Sequence, residues 1–167
     1  MRGWRETANC GINGTESHVK ECLAIRPENP MTAMIKGIDH IGIAVKSIDE
    51  AKEFWVDKLG LKYLRTEDVP DQKVRVAILA AGTATIELLE PTSPDSPVQK
   101  FLDKRGEGLH HLTFATDKLA VNLEVLKVAN VGLIDEKPRT GAGGAKIAFV
   151  HPKSAHGVLI EMCERHD

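Results

Sequence analysis

The feature that most constrains how these 167 residues can fold is an internal repeat. Asp39-His40-Ile41-Gly42-Ile43-Ala44-Val45 is echoed by His110-His111-Leu112-Thr113-Phe114-Ala115-Thr116, which puts His40 and His111 71 positions apart. The correspondence persists along the chain. Gly60-Leu61 answers to Gly132-Leu133, Ala77 to Ala148, and Ile86-Glu87-Leu88 to Ile160-Glu161-Met162. A unit of about 70 residues used twice is a pair of half-domains, since solenoid arrays repeat at roughly 20–50 residues. Each copy carries a His near its start and a Glu near its end.

Hydrophobic periodicity gives both copies the same element order. In the first, a strand over 38–45 sets Ile41, Ile43 and Val45 on one face and His40, Gly42 and Ala44 on the other. Ser47-Ile48-Asp49-Glu50 is a capping box, and the helix it opens places Ile48, Ala51, Phe54, Trp55 and Leu59 on one side before Gly60 stops it. Strands over 61–67, 73–80 and 84–90 follow, so the unit reads βαβββ. Pro91, Pro94 and Pro97 punctuate a linker over 92–107 that holds a short helix near 98–104. The second copy repeats the order: strand 109–116, helix 118–129, strand 132–136, a glycine-rich loop at 141–144, then strands 145–151 and 157–163. The fold class is α+β, with module one at about 36–91 and module two at about 108–165. Residues 1–35 lack sustained periodicity and any signal-peptide core, and their basic residues are mixed with Glu6, Glu16, Glu21 and Glu28. They read as a flexible extension, or as an over-extended start with Met31 or Met34 as the initiator.

Strand parity selects among the candidate ligands. His111 shares a face with Thr113 and Ala115, which are small like Gly42 and Ala44, whereas His110 shares the opposite face with Leu112 and Phe114. His111 is therefore the ligand candidate, and His110 is expected on the helix-packed side in a supporting role. Glu87 and Glu161 each interrupt an apolar strand. A buried carboxylate without a partner is costly, and a divalent cation shared by both modules satisfies the two acids and two imidazoles together. Taken singly, a strand His is more often a hydrogen-bonded core residue and a strand Glu more often solvated. The matched recurrence of both favours one site made of His40, Glu87, His111 and Glu161. Two imidazoles with two carboxylates suit a borderline ion such as Co²⁺, Mn²⁺, Fe²⁺, Ni²⁺ or Zn²⁺. His151 reads as structural or supporting, and His156 as an exposed turn residue.

Charge and cysteine usage narrow the class further. A net charge of −2 gives no electrostatic footprint for nucleic acid, and no apolar run approaches the ~18 residues needed to span a bilayer. Cys10, Cys22 and Cys163 are odd in number and lack metal spacing, so they read as free thiols of a cytoplasmic protein. A mitochondrial matrix location is not favoured by the leader.

With these residues in place the chain resembles the vicinal-oxygen-chelate superfamily, which includes glyoxalase I and the extradiol dioxygenases. Within it the motifs are similar to the methylmalonyl-CoA epimerase family. These are residues 39–45, Ile86-Glu87-Leu88-Leu89-Glu90-Pro91, Asp95-Ser96-Pro97, Gly106-Glu107-Gly108-Leu109-His110-His111, Phe149-Val150-His151-Pro152-Lys153-Ser154 and Gly157-Val158-Leu159-Ile160-Glu161. The resemblance spans about 36–164. It implies a curved mixed sheet around a metal cleft, with one divalent ion per chain. Co²⁺ is expected first, with Mn²⁺, Ni²⁺ or Zn²⁺ as alternatives. It also implies a homodimer acting on an acyl-CoA of propionate metabolism, interconverting the (R) and (S) epimers by removal and return of an α-proton. Glu87 and Glu161 are then the two bases as well as ligands. Some members carry a glutamate on the third strand, where this chain has Val76, and glutamine where it has Glu87. The resemblance further nominates Lys153 with Gly143 and Gly144 for the CoA moiety, and Arg139 and Lys146 less strongly. A glyoxalase-I-like lyase acting on a thiol hemithioacetal and a metal-free binding protein of the same fold remain the alternatives.

Overall fold

A computed structural model describes residues 35–165. The expected extension and the thiols of Cys10 and Cys22 lie outside these residues. Strand β1 (Ile35–Ala44) leads into helix α1 (Ile48–Lys52), whose N-cap Ser47 accepts from the Glu50 backbone N–H at 3.3 Å. The capping box therefore forms as read. The helix then widens over Glu53–Lys58 into a turn with i→i+5 hydrogen bonds, ending as Leu59 N–H donates to Phe54 O at 2.8 Å. The wider turn rotates the side chains that follow it. Trp55 and Val56 consequently pack on the core while Phe54 and Leu59 stand exposed, contrary to the straight helix expected.

Strands β2 (Lys62–Val69), β3 (Val74–Ala81) and β4 (Ala84–Pro91) complete module one, and helix α2 (Pro97–Arg105) bridges to β5 (Gly108–Thr116). Helix α3 (Leu119–Val128) and strands β6 (Arg139–Thr140), β7 (Lys146–Val150) and β8 (Ile160–Glu164) complete module two. The expected strand at 132–136 does not form. Leu133 makes one bridge to Val150, and the edge strand is instead the two-residue β6. Asp135 turns the chain aside, because its carboxylate accepts from Phe149 N–H at 2.9 Å in place of a ladder partner, and Pro138 brings no N–H to a strand.

The eight strands of the described residues join one mixed sheet in the order β2-β3-β4-β1-β5-β8-β7-β6. The order is symmetric about the central antiparallel pair β1–β5, and each central strand has its own module's last strand beside it in parallel. Side-chain alternation separates the two faces. Under α1, Ile48 packs with Ala77, Leu79 and Leu88; under α3, Leu119 and Leu123 pack with Ala148, Val150 and Met162. The opposite face carries Val74, Val76 and Leu89 in module one, against α2, and Ile147, Phe149 and Cys163 in module two. The candidate residues lie on this second face.

Candidate metal centre

Four adjacent strands deliver the four candidate residues. His40 on β1 and His111 on β5 are 4% and 5% exposed, and Glu87 on β4 and Glu161 on β8 are each 4% exposed. Register brings them together: Gly42 of β1 pairs with Glu87 on one side and His111 on the other, and Thr113 of β5 pairs with both His40 and Glu161. The space that Gly42 leaves beside His40 is filled by the other module, since a Cβ added at Gly42 would overlap the His111 ring. Gly42 is what lets the two halves' imidazoles meet.

The two Nε2 atoms stand 3.2 Å apart, and Glu161 Oε2 lies 3.4 Å from His40 Nε2 and 3.1 Å from His111 Nε2. One ligand atom each from His40, His111 and Glu161 falls within 4.8 Å of the others. Glu87 stands outside that triad but beside it, its Oε2 3.5 Å from His40 Nε2. This donor set fits a divalent ion. Nitrogen ligands about 2.1 Å from one ion and set at a right angle would stand about 3 Å apart, close to the separation seen.

Electrostatics divides the four. Burial disfavours charge on His40, but hydrogen bonds to Asp39 and Glu161 outweigh it and raise the ring's pKa to about 10. Burial likewise pushes Glu161 up, but its hydrogen bonds with His111 and His40 override this and hold the carboxyl at about 2. Among the described residues Glu87 makes no comparable hydrogen bond, and its Oε2 stands 3.5 Å from His40 Nε2. Burial raises its pKa, and the two imidazoles only partly oppose that. The two acids are therefore shifted in opposite directions, Glu161 down and Glu87 up.

Several residues of the centre were not singled out from sequence. Asp39 Oδ1 lies 2.7 Å from His40 Nδ1, and Arg165 clamps the same carboxylate with bonds of 2.7 and 2.9 Å. Its pKa falls well below the carboxylate range, because the hydrogen bonds to His40 and Arg165 overcome burial. The Asp-His dipeptide carried a hint of this, whereas Arg165, far away in sequence, carried none. Thr113 is fully buried and donates to Glu161 Oε2 at 2.9 Å, with its hydroxyl also 2.9 Å from His40 Nε2.

His110 requires a correction. Parity assigned it to the helix-packed face, yet it lines the cavity over the cluster, with its Nδ1 2.9 Å from His111 Nδ1 and its ring 5.0 Å from that of Phe101. A bulge explains the change: Gly42 and Ile43 of β1 pair with His111 and Leu109, so His110 is an extra residue and alternation breaks there. Burial lowers the pKa of its imidazole to about 4.

The cavity has a volume of about 650 Å³, with the four candidate residues in its wall. Val74, Val76, Leu89 and Phe101 line it in module one and the linker, and Ile147 and Phe149 in module two. The exposed cations Lys100, Lys104 and Arg139 also line it. Lys153, Gly143 and Gly144 do not. Lys153 sits exposed in a short 3₁₀ turn whose cap is His151, and the two glycines occupy left-handed backbone at φ 62° and 77° in the loop before β7. His151 is thus a turn cap and lies outside the cluster, and His156 is exposed at φ 52°. Among the described residues no helix is long and apolar enough to cross a membrane.

Known proteins resemble this chain in sequence and fold. YqjC of Bacillus subtilis, described as an uncharacterized protein, is 50% identical over 127 residues, covering 76% of this chain and 91% of its own length. The crystal structure of methylmalonyl-CoA epimerase from Mycobacterium tuberculosis superposes with a TM-score of 0.78 at 39% identity, covering 81% of this chain and 92% of that one. A methylmalonyl-CoA epimerase in complex with methylmalonyl-CoA and NH₄⁺ superposes at 0.75 with 38% identity, covering 78% and 94%. The family model described as Glyoxalase/Bleomycin resistance protein/Dioxygenase superfamily matches residues 39–149, within the doubled βαβββ unit and across three of the four buried candidate residues. The chain belongs to that superfamily.

Proposed function

We propose that this protein is an isomerase that interconverts the (R) and (S) epimers of methylmalonyl-CoA with the help of one divalent ion. The observation that carries the reading is the pair of buried glutamates, Glu87 and Glu161, on the strands that flank the joined imidazole-bearing strands. Epimerisation needs a proton taken from one face of a planar carbon and another returned to the opposite face. Two carboxyl groups related by the internal repeat meet that need, and general bases of this kind contribute about 10²–10⁴-fold. Their environments differ, burial raising the pKa of Glu87 and hydrogen bonds lowering that of Glu161, so the two carboxyl groups are not equivalent partners for the proton.

His40, His111 and Glu161 are the residues that would hold the ion, with Glu87 as the fourth ligand. Such an ion supplies a Lewis acid that polarises carbonyl oxygens and acidifies the carbon between them. The chain's own residues do the rest. Glu87 and Glu161 exchange the α-proton with the substrate carbon, Thr113 holds Glu161, and Asp39 holds His40. The apolar walls at Val76, Leu89 and Phe149 exclude water from the reacting carbon. Val76 stands where some family members carry a glutamate, and this supports the assignment of the module-one base to Glu87. For the CoA phosphates, the exposed cations lining the cavity, Lys100, Lys104 and Arg139, replace Lys153 and the glycine loop as the proposed anchors. Co²⁺ is the proposed ion and a homodimer the proposed assembly, to be checked by metal analysis and sedimentation.

The test is incubation of metal-loaded protein with (R)- or (S)-methylmalonyl-CoA in D₂O. Deuterium at the α-carbon with epimer conversion, both abolished by chelator, is the expected result. Bound metal without exchange would overturn the reading and favour the hemithioacetal lyase alternative.

A further inference from the structure

We propose that His110 is a positioning residue of the metal centre, doing for His111 in module two what Asp39 does for His40 in module one. The inference rests on the metal reading above but concerns a residue that reading does not use.

The central strands carry matched irregularities. On β1, Ile38 and His40 pair with the consecutive residues Phe114 and Thr113, so Asp39 is an extra residue. On β5, Leu109 and His111 pair with the consecutive residues Ile43 and Gly42, so His110 is the extra one. Asp39 and His110 are equivalent positions of the repeat. Each bulge thus falls immediately before a candidate ligand, and in each case the bulged side chain reaches its neighbour's Nδ1, at 2.7 Å from Asp39 and 2.9 Å from His110. Bulges beside functional sites characteristically re-aim one side chain.

The chemistry follows from the imidazole ring. Both His40 and His111 turn Nε2 toward the cluster and Nδ1 away from it. A neutral imidazole that offers a lone pair at Nε2 must carry its proton on Nδ1, and that proton needs an acceptor. For His40 the acceptor is a carboxylate clamped by Arg165. For His111 it is the Nδ1 of His110, whose own ring is braced edge-on by Phe101 of α2. The two halves thus use the same device with different acceptors, one anionic and one neutral. Outer acceptors of this kind fix the tautomer and ring angle of a ligand, and losing one typically weakens metal binding about 10–100-fold.

The experiment compares His110→Phe, which keeps a ring against Phe101 but removes the acceptor, with His110→Asn, whose amide oxygen takes the place of Nδ1. Co²⁺ affinity is measured by competition with a chromophoric chelator, and the ligand field by visible absorption. The expected result is a 10–100-fold weaker affinity with an altered spectrum for His110→Phe, and an affinity within about threefold of the parent for His110→Asn. Parent-like affinity and spectrum in His110→Phe would overturn the inference while leaving the metal site intact. Equal losses in both variants would also overturn it, since packing rather than the acceptor would then matter. A parent that binds no divalent ion would overturn the metal reading itself. Side-chain nitrogen NMR of the Zn²⁺-loaded parent needs no variant. It should find the proton of His111 on Nδ1 and none on His110 Nδ1, and the reverse assignment would refute the proposal.

Discussion

The two modules place a His and a Glu at matching points of the same βαβββ frame, yet surround them differently. In module one, position 42 is a glycine that makes room for the His111 ring. Its counterpart in module two, Thr113, is a buried hydroxyl that binds Glu161 and lies against His40. Module one backs its imidazole with an Arg-clamped carboxylate, module two with a second imidazole. Burial raises the pKa of Glu87, whereas hydrogen bonds lower that of Glu161. Backbone register therefore repeats while local electrostatics diverges. A symmetric scaffold can in this way carry two carboxyl groups of unequal character.

The sharpest way to break the comparison is to neutralise each acid in turn. Glu87→Gln is expected to lower turnover about 10²–10⁴-fold while retaining metal. Glu161→Gln is expected to lose both, because Glu161 belongs to the tight triad. Turnover and metal content, measured together, check this, and a Glu87→Gln variant at full turnover would remove Glu87 as a base. Next come the paired positions 42 and 113. Gly42→Ala forces the His111 ring to move, an overpacking expected to cost about 1–3 kcal/mol. Thr113→Val strips a buried hydrogen bond from Glu161 and is expected to cost a similar ~1–3 kcal/mol. Denaturant unfolding of the metal-free chain reads both, and an unshifted Gly42→Ala would mean that the rings do not meet.

A further expected effect is in pH. The His40 pKa is raised from 6.5 to about 10 in the metal-free fold. A raised pKa contributes stability that is complete below 6.5 and lost as pH climbs through 10. Glu87, also raised, acts in the same direction. Glu161 is depressed from 4.5 to about 2, so its contribution is present above 4.5 and lost as pH falls through 2. The Tm of the chelated protein should decline from pH 6.5 toward 10, and His40→Ala should flatten that decline. An unchanged slope in the variant would show that the charge resides elsewhere.

Much of the central sheet could be read from the chain because alternation is a local rule. β1, β4, β5 and β8 deliver His40, Glu87, His111 and Glu161 to one face, as their parity required. The rule fails where an extra residue enters a strand. Neither Asp39 nor His110 announces a bulge, because a bulge is set by pairing with a strand about 70 residues away. Arg165 was invisible for the same reason, as it meets Asp39 only once the sheet has formed. The 132–136 segment misled in the opposite sense. Its apolar residues look strand-like, but the Asp135 carboxylate captures the Phe149 amide that a strand there would have used. The widened turn after α1 has no local signature that we can identify.

The glycine at position 42 also bears on how the chain assembles. The ring it admits comes from the other half, so neither half contains a finished cluster. The β1–β5 seam that joins them closes a long loop, and such non-local closures are slow steps in folding. The cluster therefore depends on that seam and belongs to neither module by itself. Module one alone holds His40 and Glu87 beside an open notch and lacks His111 and Glu161 of the tight triad.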